Sequence, residues 1–346
     1  PYGAPQVPAE ATLNTNENPY APSPELARAI ADRVHRVATT LNRYPDRDAI
    51  SLRAELASYI SSSASTAIDP GQVWAANGSN EILQQICQLF GGPDRFAVGF
   101  VPSYSVHELI AQTTCTDWKS IPRNESFEID SSSLSKLEKN SDIVFICTPN
   151  NPTGNSLNPE SIKKVLQNFK GLVIVDEAYI DFSTSESWIN YLDFYPNLFV
   201  MQTLSKAWGL AGLRIGMGFA SPQIIALLNK IKPPYNINLL SQQSALAQLE
   251  MLEEKNTQVD TILQQRDWLS EELKQLKKVH EVYPSDANFV LVKMDNATDI
   301  YNKMVEKSII LRNRSTVKLC LDCIRITIGT PEENKELLLN LTELLN

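Results

Sequence analysis

The chain has 346 residues, 43% of them hydrophobic and 21% charged, which supplies a large core and excludes both a disordered composition and a single small domain. Its 31 lysines and arginines against 40 aspartates and glutamates leave a net charge of −9. That balance excludes a general nucleic-acid or membrane-surface binder, because such partners need clustered positive charge, and points to small molecules or another protein subunit. In chain order, Pro1, Pro5, Pro8, Pro19, Pro22 and Pro24 predict an extended arm, since each removes a backbone donor and fixes φ. A helical pattern begins at Glu25. Residues 73–76 read as a strand, Asn77-Gly78-Ser79-Asn80 as a tight turn, and Ile82, Leu83, Ile86, Leu89 and Phe90 as one face of a helix. Short apolar runs follow at 96–100, 143–147, 172–175, 198–201 and 215–220. Continuous runs of this kind suit strands buried on both faces, and their alternation with helices predicts an α/β domain with a mainly parallel central sheet. Ligands of such a sheet gather at the carboxyl ends of its strands.

After Ser241 the pattern changes to a long amphipathic helical stretch reaching about Val279. Strands at 288–292, 309–311 and 323–328, a helix near 300–307 and a closing helix complete a smaller α+β domain. The expected division is an arm and helix over 1–40 that joins the small domain, a large domain over 41–240 and a small domain over 241–346. The serine-rich pieces Ser61 to Ser65 and Ser131 to Ser135 read as surface loops.

The most informative residue is Lys206, which follows an apolar strand within Thr203-Leu204-Ser205-Lys206 and precedes Arg214 by eight positions. An amine set among hydroxyls, small residues and an arginine on one strand-to-loop edge suits a Schiff-base lysine, and pyridoxal phosphate is the cofactor that exploits one. That cofactor needs a carboxylate to keep its ring nitrogen protonated, and Asp176 ends the apolar run Leu172-Val173-Ile174-Val175 at the same sheet edge. Tyr179, three residues on, is placed to donate to the ring oxygen. The rigid turn Thr148-Pro149-Asn150-Asn151-Pro152-Thr153-Gly154 offers the Asn151 amide for the same oxygen. The Asn77-Gly78-Ser79-Asn80 turn aims free amides at an anion, as the cofactor phosphate requires.

Together and in this order, these pieces resemble the fold-type I pyridoxal-phosphate aminotransferases over essentially the whole chain. Within them the sequence is similar to the histidinol-phosphate aminotransferase family, on Leu13-Asn14-Thr15-Asn16-Glu17-Asn18-Pro19-Tyr20, Asn42-Arg43-Tyr44-Pro45-Asp46, Ala76-Asn77-Gly78-Ser79-Asn80-Glu81, Val175-Asp176-Glu177-Ala178-Tyr179, and Arg312 with Ile324-Arg325-Ile326. The resemblance implies a homodimer that converts histidinol phosphate and 2-oxoglutarate to imidazole-acetol phosphate and glutamate, a step of histidine biosynthesis. It implies a fold-type I large domain, with Lys206 as the covalent anchor, Asp176 on the ring nitrogen, Asn151 and Tyr179 on the ring oxygen, and Tyr104 stacked on the ring. The phosphate would be held by Gly78, Ser79, Asn80, Ser205, Arg214 and, less strongly, Thr203, with Tyr44 reaching in from the neighbouring subunit. Position 80 is Asn where many relatives carry Asp, which removes a negative charge beside the phosphate. Asn16 and Tyr20 of the arm, Tyr235, Arg312 and Arg325 would contact substrate, with Arg325 taking a carboxylate of glutamate. An aromatic-amino-acid aminotransferase and, behind it, a phospho-amino-acid decarboxylase share this framework and remain the alternatives.

Other features carry less. Cys87, Cys115, Cys147, Cys320 and Cys323 are odd in number and scattered, unlike a secreted disulfide framework, so a reducing cytoplasm is expected. Cys320 and Cys323 lack a second pair, and His35, His107 and His280 lack ligand spacing, so no metal is expected. Trp74, Trp118 and Trp188 read as packing residues. No apolar run approaches the ~18 residues that span a bilayer, and no basic segment precedes an apolar core, so a soluble protein is expected. The chain starts at Pro1 rather than methionine, so residues are expected to precede it.

Overall fold

The computed structural model describes residues 8–137 and 141–345, and the first part of the expected arm, residues 1–7, lies outside them. Strand β1 (Ala11–Thr12) is followed by helices α1 (Pro24–Ala38) and α2 (Ile50–Ser63). Then come β2 (Val73–Ala76), α3 (Ser79–Phe90), β3 (Phe96–Val101), α4 (Val106–Thr113), β4 (Asp117–Pro122), α5 (Ser131–Ser135), β5 (Ile143–Cys147) and α6 (Pro159–Asn168). They lead to β6 (Leu172–Asp176), β7 (Leu198–Thr203), β8 (Gly216–Ala220) and α7 (Pro222–Ile231). The remainder comprises α8 (Leu239–Leu249), α9 (Leu252–Lys274), β9 (Val279–Val282), β10 (Phe289–Met294), α10 (Ala297–Glu306), β11 (Ile309–Ile310), β12 (Arg312–Asn313), β13 (Cys323–Thr327) and α11 (Pro331–Leu345).

Local chemistry sets several of these boundaries. Ser23 caps α1 by accepting the Leu26 N–H, with Pro24 in the first turn where its missing donor is harmless. Asn158 and Pro159 open α6 in the same way. The apolar runs form a seven-stranded sheet in the order β2-β8-β7-β6-β5-β3-β4. Strands β3 to β7 pair in parallel, whereas β8 is antiparallel to both β7 and β2, so β2 and β7 point the same way. All residues of β5, β6 and β7 are buried, and the period of two divides them between the faces. Val173 and Val175 join one apolar cluster, Leu172 and Ile174 the cluster on the other side. A second, antiparallel sheet has the order β12-β13-β10-β9, and β1 of the arm pairs in parallel with β11.

Four expectations change. The serine run at 61–65 is partly the last turn of α2, because Ser62 and Ser63 hydroxyls bond back to the Tyr59 carbonyl. Ser131–Ser135 is a short helix capped by the Asp130 side chain. The long stretch after Ser241 is two helices, broken where Met251 leaves helical geometry at ψ 48°. Strand β4 was not foreseen: Asp117, Trp118, Lys119 and Ser120 line the sheet edge, where only part of each pleat is buried and no apolar run is needed.

Arg123 follows β4 and is buried, with its guanidinium donating to the carbonyls of Phe100, Phe127 and Cys147 at 3.3, 2.9 and 3.3 Å and to Asn150 Oδ1 at 3.1 Å. Burial lowers its pKa to about 10, well inside the charged range at neutral pH. It ties the ends of β3, β4 and β5 together. Arg123→Met strands those buried acceptors and is expected to remove roughly 3 kcal/mol of stability. Urea unfolding checks this, and a loss below about 0.5 kcal/mol, the level of an ordinary surface substitution, would contradict the role.

Candidate active site

The carboxyl ends of β2, β5, β6 and β7 meet at one edge of the large sheet, and each is followed by a residue type with chemistry. Strand β6 ends on Asp176, which is 3% exposed. Its Oδ2 lies 3.0 Å from His107 Nε2 and its Oδ1 accepts the Ala178 N–H at 3.1 Å. His107 is itself buried, stacked on Phe145 at 5.0 Å and edge-on to Tyr104 at 5.3 Å. The imidazole therefore sits in one orientation, with one nitrogen committed to the carboxylate.

Strand β7 delivers Thr203, Ser205 and Lys206. The Lys206 Nζ donates to the Thr15 carbonyl of the arm at 2.8 Å and lies 5.9 Å from the Tyr179 ring centre. Loss of hydration around the amine, then the nearby charges of Arg325 and Arg214, depress its pKa to about 8, against opposing pulls from Glu17 and Asp176. Tyr179 OH accepts from Asn16 Nδ2 at 2.9 Å and Asn151 Nδ2 at 3.3 Å, and burial raises its pKa. Arg325 of β13 donates to Asn151 Oδ1 at 2.6 Å and to the Asn14 carbonyl, with Phe289 beneath the guanidinium at 5.2 Å.

At the other end of the cleft lies an anion cradle. Helix α3 begins at Ser79, and Gly78 before it has φ +86°, a region open to glycine at little cost. A Cβ at Gly78 would fall 2.6 Å from Arg214 Nη2, so only glycine lets the guanidinium approach the helix end. Arg214 also donates to Ser205 Oγ at 3.4 Å, and Thr203 Oγ1 donates to the same oxygen at 3.0 Å.

One cleft joins these pieces. Asn16, Ser79, Asn80, Tyr104, Asn151, Asp176, Tyr179, Thr203, Ser205, Lys206, Arg214 and Arg325 all line it, with Gly78 at its border. Tyr20, Tyr44, Tyr235 and Arg312 do not. Tyr44 is 79% exposed and stacks on Tyr235 with ring centres 4.4 Å apart. Arg312 lies directly opposite Arg325 across the β12–β13 ladder, on the same face but outside the lining. The Tyr20 hydroxyl is buried with no hydrogen-bond partner among the described residues. His107 and Thr15 were missed from the sequence: His107 is 69 residues from Asp176, and Thr15 contributes only a backbone carbonyl, which no residue type announces.

The family description aminotransferase class I and II matches residues 10–341. The chain belongs to this family. Among its relatives, a histidinol-phosphate aminotransferase of Flavobacterium johnsoniae is 42% identical over 324 residues, 93% of this chain and 86% of that protein. Another, of Nocardia farcinica, is 42% identical over 342 residues, 98% of this chain and 87% of the relative. The fold is shared with the histidinol-phosphate aminotransferase of Sinorhizobium meliloti solved with pyridoxal-5′-phosphate, at a TM-score of 0.87 and 22% identity, covering 97% of this chain and 91% of that one.

The Lys206 environment has a measurable consequence in the cofactor-free aminotransferase. Because the cleft disfavours the ammonium form, Lys206 is expected to gain nucleophilicity with a midpoint near pH 8, whereas solvated lysines do so near ~10.4. Competitive acetylation across pH with mass-spectrometric readout checks this. A midpoint at about 10 would place the amine in ordinary solvent.

Proposed function

We propose that this aminotransferase moves an amino group from L-histidinol phosphate to 2-oxoglutarate in a ping-pong cycle, using pyridoxal 5′-phosphate held in the cleft around Lys206. The observation that carries the reading is the convergence, in one cleft, of a lysine with pKa depressed to about 8, a buried carboxylate paired with His107, and an arginine cradle at a helix N-terminus. The donor set fits the cofactor from end to end. The amides at the start of α3 with Ser205, Thr203 and Arg214 suit its phosphate, Asn151 and Tyr179 its ring oxygen, and Asp176 its ring nitrogen.

When bound, the cofactor supplies an electron sink for the pair left at the substrate carbon once its proton departs. Lys206 would hold the group through Nζ. The Lys206 amine, buried in the cleft where its ammonium form is disfavoured, would then be placed to take the proton from the substrate's amine-bearing carbon. Asp176 keeps a proton on the ring nitrogen by charge, and His107 keeps Asp176 in place. Tyr104 covers one side of the site, where it lines the cleft beside Asn80. Arg325 binds the substrate anion, carboxylate or phosphate, since a guanidinium fork suits both. In this reading residues 41–240 carry the cofactor, residues 241–346 carry Arg325, and residues 1–40 are the arm and helix that join the small domain. The setting is the cytoplasm. No helix among the described residues is long and apolar enough to cross a membrane.

A panel of half-reactions tests the substrate. Bound-cofactor absorbance is followed with histidinol phosphate, phenylalanine and threonine phosphate, and histidinol phosphate is expected to react with the highest specificity. Preference for phenylalanine would replace the assignment with an aromatic-amino-acid aminotransferase, and carbon dioxide release from threonine phosphate with a decarboxylase. Asp176→Asn is expected to stay folded and lose at least ~100-fold in kcat, because an amide cannot hold the ring proton by charge. A rate within a few-fold of the unaltered chain would end that role.

The working unit in this reading is a homodimer. Leu41, Tyr44 and Ile50 are 51%, 79% and 64% exposed along one segment, a surface suited to cover by a second copy that receives Tyr44 in its site. Inactive Tyr44→Ala and Lys206→Ala chains are expected to recover activity when mixed and exchanged. No recovery after confirmed exchange would mean that each site is built from a single chain.

A further inference from the structure

Beyond the cleft, the same wall opens into a wider outer chamber. Lys206, Arg214 and Tyr104 border both spaces, and Glu17 and Glu81 are added in the outer one. The two acids differ in their commitments. Both Glu81 oxygens are occupied, accepting from the Asn77 backbone and the Gln85 and Asn236 amides. The Glu17 carboxylate accepts one hydrogen bond among the described residues, from Thr15 Oγ1 at 2.8 Å. Its backbone carbonyl is held by Asn288 Nδ2 at 3.4 Å, which fixes the residue at the chamber wall while its side chain stays exposed. It is close enough to Lys206 for its charge to act on that amine.

On the function proposed above, on which this inference rests, two unlike side chains must enter that chamber. With the substrate anion on Arg325 and the reacting nitrogen at Lys206, the imidazole of histidinol phosphate and the distal carboxylate of glutamate both extend outward from the cleft. An imidazole offers N–H donors and gains a positive charge on protonation, whereas a carboxylate offers only acceptors and a negative charge. An acceptor with spare capacity separates the two. We infer that Glu17 is a specificity-determining residue, whose carboxylate accepts a hydrogen bond from the imidazole N–H of histidinol phosphate and disfavours a carboxylate in the same place. Glutamate remains a substrate because the chamber is open to solvent, where its distal carboxylate stays hydrated.

Glu17→Ala, which removes the acceptor itself, tests the inference in the cofactor-loaded enzyme. Any effect of the lost charge on Lys206 acts on both half-reactions and cancels in their ratio. The ratio of kcat/KM for histidinol phosphate to that for glutamate is expected to fall ~10- to 100-fold, the range of a charge-assisted hydrogen bond. A second measurement needs no turnover: equilibrium binding of 3-(imidazol-4-yl)propyl phosphate against 3-phenylpropyl phosphate, which have the anion and a ring but no amine. The unaltered protein is expected to prefer the imidazole compound by about tenfold or more, and the variant to lose that preference. An unchanged ratio together with an unchanged preference overturns the role of Glu17 while leaving the proposed function intact. An unaltered enzyme that fails to react with histidinol phosphate would instead overturn the function.

Discussion

A carboxylate with almost no access to water must be given hydrogen-bond donors, and Asp176 is such a group. Leaving a buried acceptor without its hydrogen bond costs roughly 1 to 3 kcal/mol or more, a large share of the total stability of a domain. The contact with His107 is therefore a constraint on the architecture as much as on the chemistry. It requires α4 to lie against the end of β6, and it requires His107 to be held edgewise and flat, which Tyr104 and Phe145 do. Phe145 belongs to β5, the parallel neighbour of β6, so the register of the sheet sets the orientation of the imidazole. The functional edge is thus a continuation of core packing.

The residue after Asp176 shows the same economy from the other side of the strand. Glu177 is also buried, and burial raises its pKa to about 7 despite three donors, the Ser187 hydroxyl, the Trp188 N–H and the Gln202 amide. Consecutive residues of a strand face opposite ways, so one acid enters the cleft and its neighbour enters the packing beneath. Gln202 lies on β7, one residue before Thr203. The Glu177 carboxylate thereby brackets the end of β6, which carries Asp176 and leads to Tyr179, to the end of β7, which leads to Ser205 and Lys206.

The parts of the fold that were legible in the sequence are those where burial is uniform. Strands β5, β6 and β7 announce themselves because both faces are covered and every position is apolar until the functional end. Edge strand β4 does not, since Asp117 and Lys119 are compatible with pairing on one side only. The break between α8 and α9 carries no glycine or proline, so nothing punctuates it. The site divides in the same way. Asp176 ends a strand, Lys206 follows one and Arg214 stands just before one, and all three are chemically distinctive, whereas His107 is an isolated histidine in a short helix and Thr15 acts through its main chain. Arg312 illustrates the converse, because a distinctive residue on the right face of the right ladder still lies outside the cleft lining.

Arg325 reaches Asn151 across 174 positions of sequence and the Asn14 carbonyl across 311. The anion end of the cleft is therefore assembled from the arm, the loop after β5 and strand β13 of the second sheet. Closing contacts of such separation come at a high entropic cost before they are rewarded, so local order in the central sheet has every advantage in forming earlier. During synthesis, a ribosome-bound chain that has completed β8 already possesses Asp176 and Lys206 but has no Arg325 with which to engage a substrate anion. Recognition by that arginine thus waits until β13 has been made.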